Sequence, residues 1–287
     1  MKSCLGYPGG KYFAKKKILK YIEGEREICS PFIGGGSMEV ELASNGKRVY
    51  GYDAFPQLVN FWHNLLNNKD ELYEIVERYY EQFKNPSPDD NLRDIYYQLR
   101  QECIDGDLTL ENAAKFFVVN RLSFSKLTLI GGFSTLQKIS EGVMKRMKDF
   151  HLPNLTVECM SFEESIERHR DIMLLCDPPY IIDSVLYGTG KKRDNLHNGF
   201  NHQLLRDILC NREKWVLCYN NCNEVRALYS DFRMIDPIWT YHMSKDSKSK
   251  ELLIFSPDIE VEELKNPITF NILEHESGFV EIEQLAA

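Results

Sequence analysis

The sequence predicts an α/β fold: a mostly parallel, three-layer sheet interrupted by an inserted helical segment. Three observations predict it. Short apolar runs of strand length alternate with one-sided helical patterns, as in strand–helix–strand units that place ligands at strand C-termini. Two of these runs lead into an acid, Arg48-Val49-Tyr50-Gly51-Tyr52-Asp53 and Ile172-Met173-Leu174-Leu175-Cys176-Asp177. Between them lie about 90 residues of helical character, too long for an ordinary connection in an alternating fold. The chain therefore divides into a sheet domain in two parts, 1–59 and 151–255, a helical insertion at 60–150 and an extension at 256–287.

The first element is Tyr7-Pro8-Gly9-Gly10-Lys11. Two glycines between an aromatic and a lysine suggest a tight ligand-facing loop, with Tyr7 suited to pack on an adenine ring and Lys11 to reach a carboxylate or a base. The following Lys15-Lys16-Lys17 reads as a solvated basic run. Glu27 to Val40 reads as a short strand, a glycine turn at Phe32-Ile33-Gly34-Gly35-Gly36-Ser37, and the start of a helix. Glycine there lets backbone approach a ligand closely. Asp53 closes the next strand 19 residues after Gly34, the separation expected of an acid that binds ribose hydroxyls. Gly-x-Gly-x-x-Gly and Gly-Lys-Ser/Thr are both missing, so neither a dinucleotide nor a triphosphate is the favoured ligand. A glycine turn by itself is equally compatible with a plain strand-to-helix connection.

In the insertion, Leu65, Leu72, Ile75, Val76, Tyr79, Tyr80 and Phe83 mark one face of a helix that Asn85-Pro86-Ser87-Pro88 ends. Further helices are expected at Leu92 to Cys103 and Ala113 to Asn120. Tyr79, Tyr80, Tyr96 and Tyr97 read as the insertion's core rather than as a base-stacking platform. Lys126 to Ser134 fits two readings. One is a hairpin entering nucleic acid, with Lys126 on a phosphate and Phe133 stacking. The other is a core hairpin with a glycine turn. The sheet then resumes with strands at Thr156 to Cys159 and Ile172 to Cys176, a helix at Asn201 to Asn211 with Leu204, Leu205, Ile208 and Leu209 inward, and strands at Trp215 to Tyr219 and Glu251 to Phe255.

Asp177-Pro178-Pro179-Tyr180 places a carboxylate and an aromatic ring at the end of a buried strand. That suits transfer to an exocyclic amine, a poor nucleophile because its lone pair is delocalised into the ring. Asp177 can accept one amino N–H, a carbonyl of the proline pair can accept the other, and Tyr180 can stack on the base. A simple turn after a strand would use the same residues.

These blocks resemble the Dam-like, or alpha-group, family of DNA adenine-N6 methyltransferases, whose motif order is aromatic-x-Gly-Gly-Lys, Phe-x-Gly-x-Gly-Ser, an acid, then Asp-Pro-Pro-Tyr. Asn120-Arg121-Leu122-Ser123-Phe124-Ser125 and Lys250 to Ile254 extend the likeness to roughly residues 7 to 255. The resemblance implies a Rossmann-like methyltransferase sheet whose helical insertion is the target-recognition region. It implies S-adenosylmethionine as methyl donor and S-adenosylhomocysteine as product, with Tyr7, Lys11, Phe32, Gly34, Gly36, Ser37, Asp53 and Asp177 lining the site and no metal. It also implies Asp177, Pro178 and Tyr180 as catalytic groups and Asn120 and Arg121 near DNA. The expected reaction is direct in-line methyl transfer to the N6 amine of an adenine flipped out of duplex DNA. A cytosine-N4 or RNA amino-methyltransferase uses the same chemistry, and a non-catalytic nucleic-acid-binding relative is the alternative of a different class. Ser125-Lys126 stands where relatives often carry an asparagine and glycine, so the recognition sequence does not carry over.

Composition agrees with a folded enzyme of cytoplasmic or nucleoid-associated type, or of host cytoplasm for a viral protein. The chain has 287 residues, 43% of them hydrophobic, and no apolar run approaches the roughly 20 residues that cross a bilayer. There is no apolar signal region at the N-terminus. Eight scattered cysteines form no Cys-x-x-Cys pair, so reduced thiols and no zinc are expected. The net charge of −8 is concentrated in 256–287, which holds eight acids and one base and leaves the remainder near −1. Basic clusters in that near-neutral body can bind phosphates locally. Lys191-Lys192-Arg193 stands out, because it follows the Gly188-Thr189-Gly190 loop downstream of Asp177 and is placed to close over DNA. The extension is compatible with disorder or with pairing to a second copy through Ile268 to Leu273, and a cognate restriction endonuclease is a further expected partner.

Overall fold

The computed structural model describes residues 1–7, 11, 14–181, 200–236 and 251–261. In chain order the elements are α1 (Lys15–Leu19), β1 (Glu27–Ser30), α2 (Glu39–Ser44), β2 (Arg48–Asp53), α3 (Pro56–Asn67), α4 (Lys69–Lys84), α5 (Leu92–Asp105), α6 (Leu110–Leu122), α7 (Glu141–Lys148), β3 (Leu155–Cys159), α8 (Phe162–Arg168), β4 (Met173–Cys176), α9 (His202–Cys210), β5 (Trp215–Asn220), α10 (Asn223–Leu228), β6 (Arg233–Ile235) and β7 (Glu251–Phe255). Among the described residues the strands form one sheet in the order β3-β2-β1-β4-β5-β7-β6. Pairing is parallel from β3 to β5, while β7 runs antiparallel to β5 and β6. The expected Rossmann-like α/β sheet is therefore present, with β6 as a short edge strand that hydrophobic patterning did not reveal.

The period-2 alternation of strand side chains sorts the core into two layers. Ile28, Val49, Leu175, Val216, Leu253 and Phe255 point to one face, and Cys29, Leu174, Cys176, Leu217, Leu252 and Ile254 to the other. The second face is covered by Leu205 and Leu209 of α9 and Val225 of α10. The first face shares its core with the inserted helices, through Phe61 and Trp62 of α3 and Phe116 and Phe117 of α6. α6 is buried on nearly every side, so it reads as apolar all round rather than as one-sided.

The insertion departs from the expected pattern in three places. Leu65 and Leu72 belong to different helices, because Asn68 takes φ −131° and ψ 38° and separates α3 from α4. α3 already begins at Pro56, so position 60 falls inside a helix that packs beside the sheet. The segment after α6 is not a hairpin: two single-turn 3₁₀ helices, Phe124–Lys126 and Thr128–Ile130, lie between Ser123 and Phe133, which are joined by one antiparallel bridge. Ser125, Lys126 and Thr128 have φ between 50° and 60°, and this left-handed backbone prevents a regular ladder. Tyr80 and Tyr96 are buried, as expected of a tyrosine core. No helix among the described residues is long and apolar enough to cross a membrane.

Candidate active site

β1 and β4 are neighbours although β1 is followed in sequence by β2, so the chain reverses its direction of winding between them. Ligands in open α/β sheets bind at such a switch point, outside the carboxyl ends of the strands. The glycine turn leaves β1 there, and Asp177-Pro178-Pro179-Tyr180 leaves β4 there. Both sides open into one cavity of about 780 Å³, within the roughly 300–1,000 Å³ range of small-molecule sites.

On the β1 side, Gly34 and Gly36 take φ of 48° and 64°, a region that L side chains rarely adopt. Packing closes the remaining space, since a Cβ on Gly35 would lie 2.6 Å from Tyr7 and one on Gly36 2.5 Å from Trp62. The Trp62 indole N–H donates to the Gly34 carbonyl at 3.0 Å, locking the turn from below. Asp53 closes β2 beside it. Its Oδ2 accepts the Gly34 N–H at 3.1 Å and its Oδ1 the Phe55 N–H at 3.0 Å. Burial raises its pKa to about 6 against the pull of these backbone donors. Asp53 lines the cavity beside the glycine turn. Phe32 sits against Phe162 and Phe200 at 5.7 and 5.6 Å, and Tyr7, Phe32 and Ser37 line the cavity with the glycines.

On the β4 side, the Lys11 Nζ lies 2.9 and 3.0 Å from the two oxygens of Asp177 and 3.5 Å from Glu251 Oε1. Lys11 is 2% exposed. Burial opposes its charge, but the carboxylates of Asp177 and Glu251 overcome that and hold its pKa above the usual lysine value. Burial pushes the Asp177 carboxyl up, with Lys11 pulling the other way. The Tyr180 hydroxyl donates to Glu251 Oε1 at 3.2 Å, and its ring stacks on Tyr219 with centroids 6.0 Å apart. Lys11 thus acts on the carboxylate of Asp177 as well as facing the cavity.

The third wall is basic. Arg121, Lys126 and Arg146 line the cavity, and among the described residues none has an acidic partner within ion-pair distance. The Nε atoms of Arg121 and Arg146 are buried without a hydrogen-bond partner. Burial lowers the Lys126 pKa to about 8, helped by Arg121. Arg146 comes from α7, whose Lys145-Arg146-Met147-Lys148 run is only a basic cluster in sequence; Met147 is buried, Lys145 and Lys148 are exposed, and Arg146 faces inward.

The side chain of Asn120 points into the protein. It is fully buried, with its side-chain amide engaged by Gly6 and Thr128 inside the protein. Phe133 is likewise turned inward, 5.4 Å from Tyr96, and the aromatic ring left at the surface of that segment is Phe124, 62% exposed. Lys191, Lys192 and Arg193 lie outside the described residues, as do Pro8 to Gly10 and most of the acidic extension. Glu251, Trp62 and Arg146 were not identified from sequence as site residues. Glu251 carried a usable signal, a lone charge opening an otherwise apolar strand, and Arg146 a coarser one, its place in a basic cluster.

A family model for D12 class N6 adenine-specific DNA methyltransferases matches residues 7–243. A DNA adenine methylase of Vibrio cholerae is 27% identical over 196 residues, covering 62% of this chain and 65% of that protein. The DNA adenine methylase of Escherichia coli K12 is 24% identical over 188 residues, with the same coverage. A DNA N-6-adenine-methyltransferase of Escherichia phage P1 is 23% identical over 196 residues, 62% of this chain but 24% of that protein. The match thus spans slightly under two thirds of the length of the bacterial relatives. The chain belongs to the D12 class N6 adenine-specific DNA methyltransferase family.

Proposed function

We propose that this protein is a site-specific DNA methyltransferase acting on the N6 amine of adenine in duplex DNA, with S-adenosylmethionine as donor. The observation that carries this reading is the convergence of two half-sites on one cavity: the Gly34–Asp53 pair from β1 and β2, and Asp177 with Tyr180 from the end of β4. The glycine turn and Asp53 fit a nucleoside donor, because the glycines let Tyr7 and Trp62 pack tightly against the turn at the cavity wall and a carboxylate lines the same space. When bound, S-adenosylmethionine supplies a methyl group activated by its sulfonium.

Asp177 accepts one hydrogen of the acceptor amine and the Pro178 carbonyl the other, which turns the nitrogen lone pair out of the ring plane and toward the donor. Tyr180, backed by Tyr219, presents a face for the base to stack on. Positioning and charge complementarity carry the catalysis, since an in-line displacement needs neither metal nor covalent intermediate. The base reaches this depth only when flipped out of the helix. Arg121, Lys126 and Arg146 face the same cavity and suit the phosphates that flank a flipped nucleotide.

The test is methylation of unmodified duplex DNA followed by digestion and mass identification of the nucleosides. N6-methyldeoxyadenosine is expected. N4-methyldeoxycytidine, or methylation of RNA alone, would replace the substrate assignment. Asp177→Ala should reduce transfer by at least roughly 100-fold while S-adenosylhomocysteine still binds; near-normal turnover would sink the mechanism.

A further inference from the structure

Gly6 precedes Tyr7 in the N-terminal segment, and Asn120 engages both its N–H and its carbonyl. It is not one of the glycines with left-handed backbone, so conformation does not call for glycine there. Space does. A Cβ on Gly6 would lie 2.8 Å from Lys126 Cγ, 2.9 Å from Lys126 Cδ and 3.3 Å from Arg121 Nη1. Carbon atoms in contact prefer about 3.5–4.0 Å, so the stem of Lys126 lies directly on the bare α-carbon.

Two further features hold Lys126 in this place. Its backbone has φ 60°, a left-handed conformation that costs energy in any residue with a Cβ and that turns the chain back toward the N-terminal segment. Its ammonium donates to the Arg121 carbonyl in the last turn of α6, where the negative end of the helix dipole favours a cation. Gly6, Arg121 and Lys126 all line the active-site cavity.

We infer that Gly6 is a positioning residue for DNA: its missing side chain leaves the room in which Lys126 and Arg121 lie against the N-terminal segment, so the segment that carries Tyr7 also sets where the basic wall meets the DNA backbone. The inference rests on the DNA-methyltransferase reading given above, in which that wall faces phosphate.

Alanine at position 6 isolates this role. The backbone accepts it, and Asn120 keeps both of its bonds to residue 6. The added methyl instead drives the Lys126 stem back by roughly 1 Å. Because Cγ and Cδ are the inner part of that side chain, the retreat swings the ammonium away from the Arg121 carbonyl and from its place in the wall. The glycine turn and Asp53 are not touched. Lys126 also leaves its half-buried position, where burial and the Arg121 charge hold its pKa at about 8; Arg121 is in turn flanked by Arg146 of α7 and the Cys4 thiol. A Lys126 moved toward solvent keeps its charge to higher pH.

The experiment uses the full 287-residue chain with Gly6→Ala, Lys126→Ala and the double variant. Duplex DNA affinity is read by fluorescence anisotropy across salt and pH series, and S-adenosylhomocysteine affinity by calorimetry. Gly6→Ala should weaken DNA binding roughly 3- to 10-fold and lower the slope of log affinity against log salt by up to about 1. Its S-adenosylhomocysteine affinity should stay within about twofold of wild type, and the loss of DNA affinity above pH 8 should move to higher pH. In the Lys126→Ala background the displaced carbons are absent, so adding Gly6→Ala should change DNA affinity by less than about twofold, a non-additive cycle. A Gly6→Ala protein that does not fold should be rescued by Lys126→Ala, and a folding defect that persists in the double variant would overturn the inference. Wild-type protein that binds no duplex DNA would overturn the DNA reading itself. Wild type that binds DNA, with Gly6→Ala equal to it or with fully additive effects of the two substitutions, would overturn the role of Gly6 alone.

Discussion

Asn120 holds Gly6 by both backbone atoms, its Oδ1 accepting the Gly6 N–H at 3.0 Å and its Nδ2 donating to the Gly6 carbonyl at 2.7 Å. Nδ2 also donates to Thr128 Oγ1 at 2.9 Å. One side chain in the most buried helix of the insertion therefore fixes the segment that carries Tyr7 toward the glycine turn. The inserted region is mechanically joined to the site rather than appended to it.

Asn120→Ala leaves the Gly6 N–H and carbonyl without these partners, a loss of about 1–3 kcal/mol. Unfolding by urea should show that loss, and titration with S-adenosylhomocysteine should show weaker binding, because Tyr7 is released from Gly34 and Gly35. Unchanged affinity in a folded variant would mean that Tyr7 is held by other contacts.

Asp53 must be ionised to accept two ribose hydroxyls well, and burial holds its pKa at about 6. S-adenosylhomocysteine affinity should therefore rise as pH increases through about 6 and level off above it. Asp53→Asn should bind more weakly and lose this pH dependence. Calorimetric titration between pH 5 and 8 checks both.

Glu39 is buried in the cavity wall and accepts the Ser30 hydroxyl at 2.7 Å. Burial raises its pKa from 4.5 to about 7 against that hydrogen bond. A carboxyl whose folded pKa lies above its unfolded one contributes stability at low pH that fades as pH rises from 4.5 through 7. Glu39→Gln keeps an acceptor for Ser30 and removes the titration. It should match wild type in urea unfolding near pH 4.5 and exceed it near pH 8, by up to about 3 kcal/mol. Parallel stability curves for the two proteins would contradict this.

Arg121, Lys126 and Arg146 form a basic wall without acidic partners among the described residues. Replacing any one by glutamine should lower the slope of log affinity for DNA against log salt by about 1, the signature of one lost phosphate contact. Lys126, with a pKa of about 8, loses its charge above that pH. Wild-type DNA affinity should fall between pH 7 and 9, and Lys126→Arg should remove much of the fall. Filter binding over salt and pH series reads both effects.

Most of the fold was legible because its signals are local. β4, β5 and β7 are mostly apolar runs, and the glycine turn and Asp53 lie within one strand–helix–strand unit, β1 to β2, whose spacing the chain itself sets. The break between α3 and α4 was not legible, because the apolar stripe continues across Asn68 and only the backbone angles there separate the helices. The segment after α6 misled for a related reason: its glycine pair suggested a hairpin turn, whereas left-handed backbone at Ser125, Lys126 and Thr128 folds it into short turns.

By itself the sequence determined that this is an α/β chain with a glycine turn, a strand-terminal acid and Asp-Pro-Pro-Tyr in an order that resembles one methyltransferase family. Such motifs are set by residue type and short spacing, and both are written in the chain. Tertiary structure alone decided that Lys11 sits between Asp177 and Glu251, that Asn120 braces Gly6, and that Arg146 joins Arg121 at the cavity. These pairs are separated by 25 to 240 residues. No local preference specifies them; they arise because the sheet order puts β7 beside β5, and because burial leaves each charged or amide group only the partners that packing brings within reach.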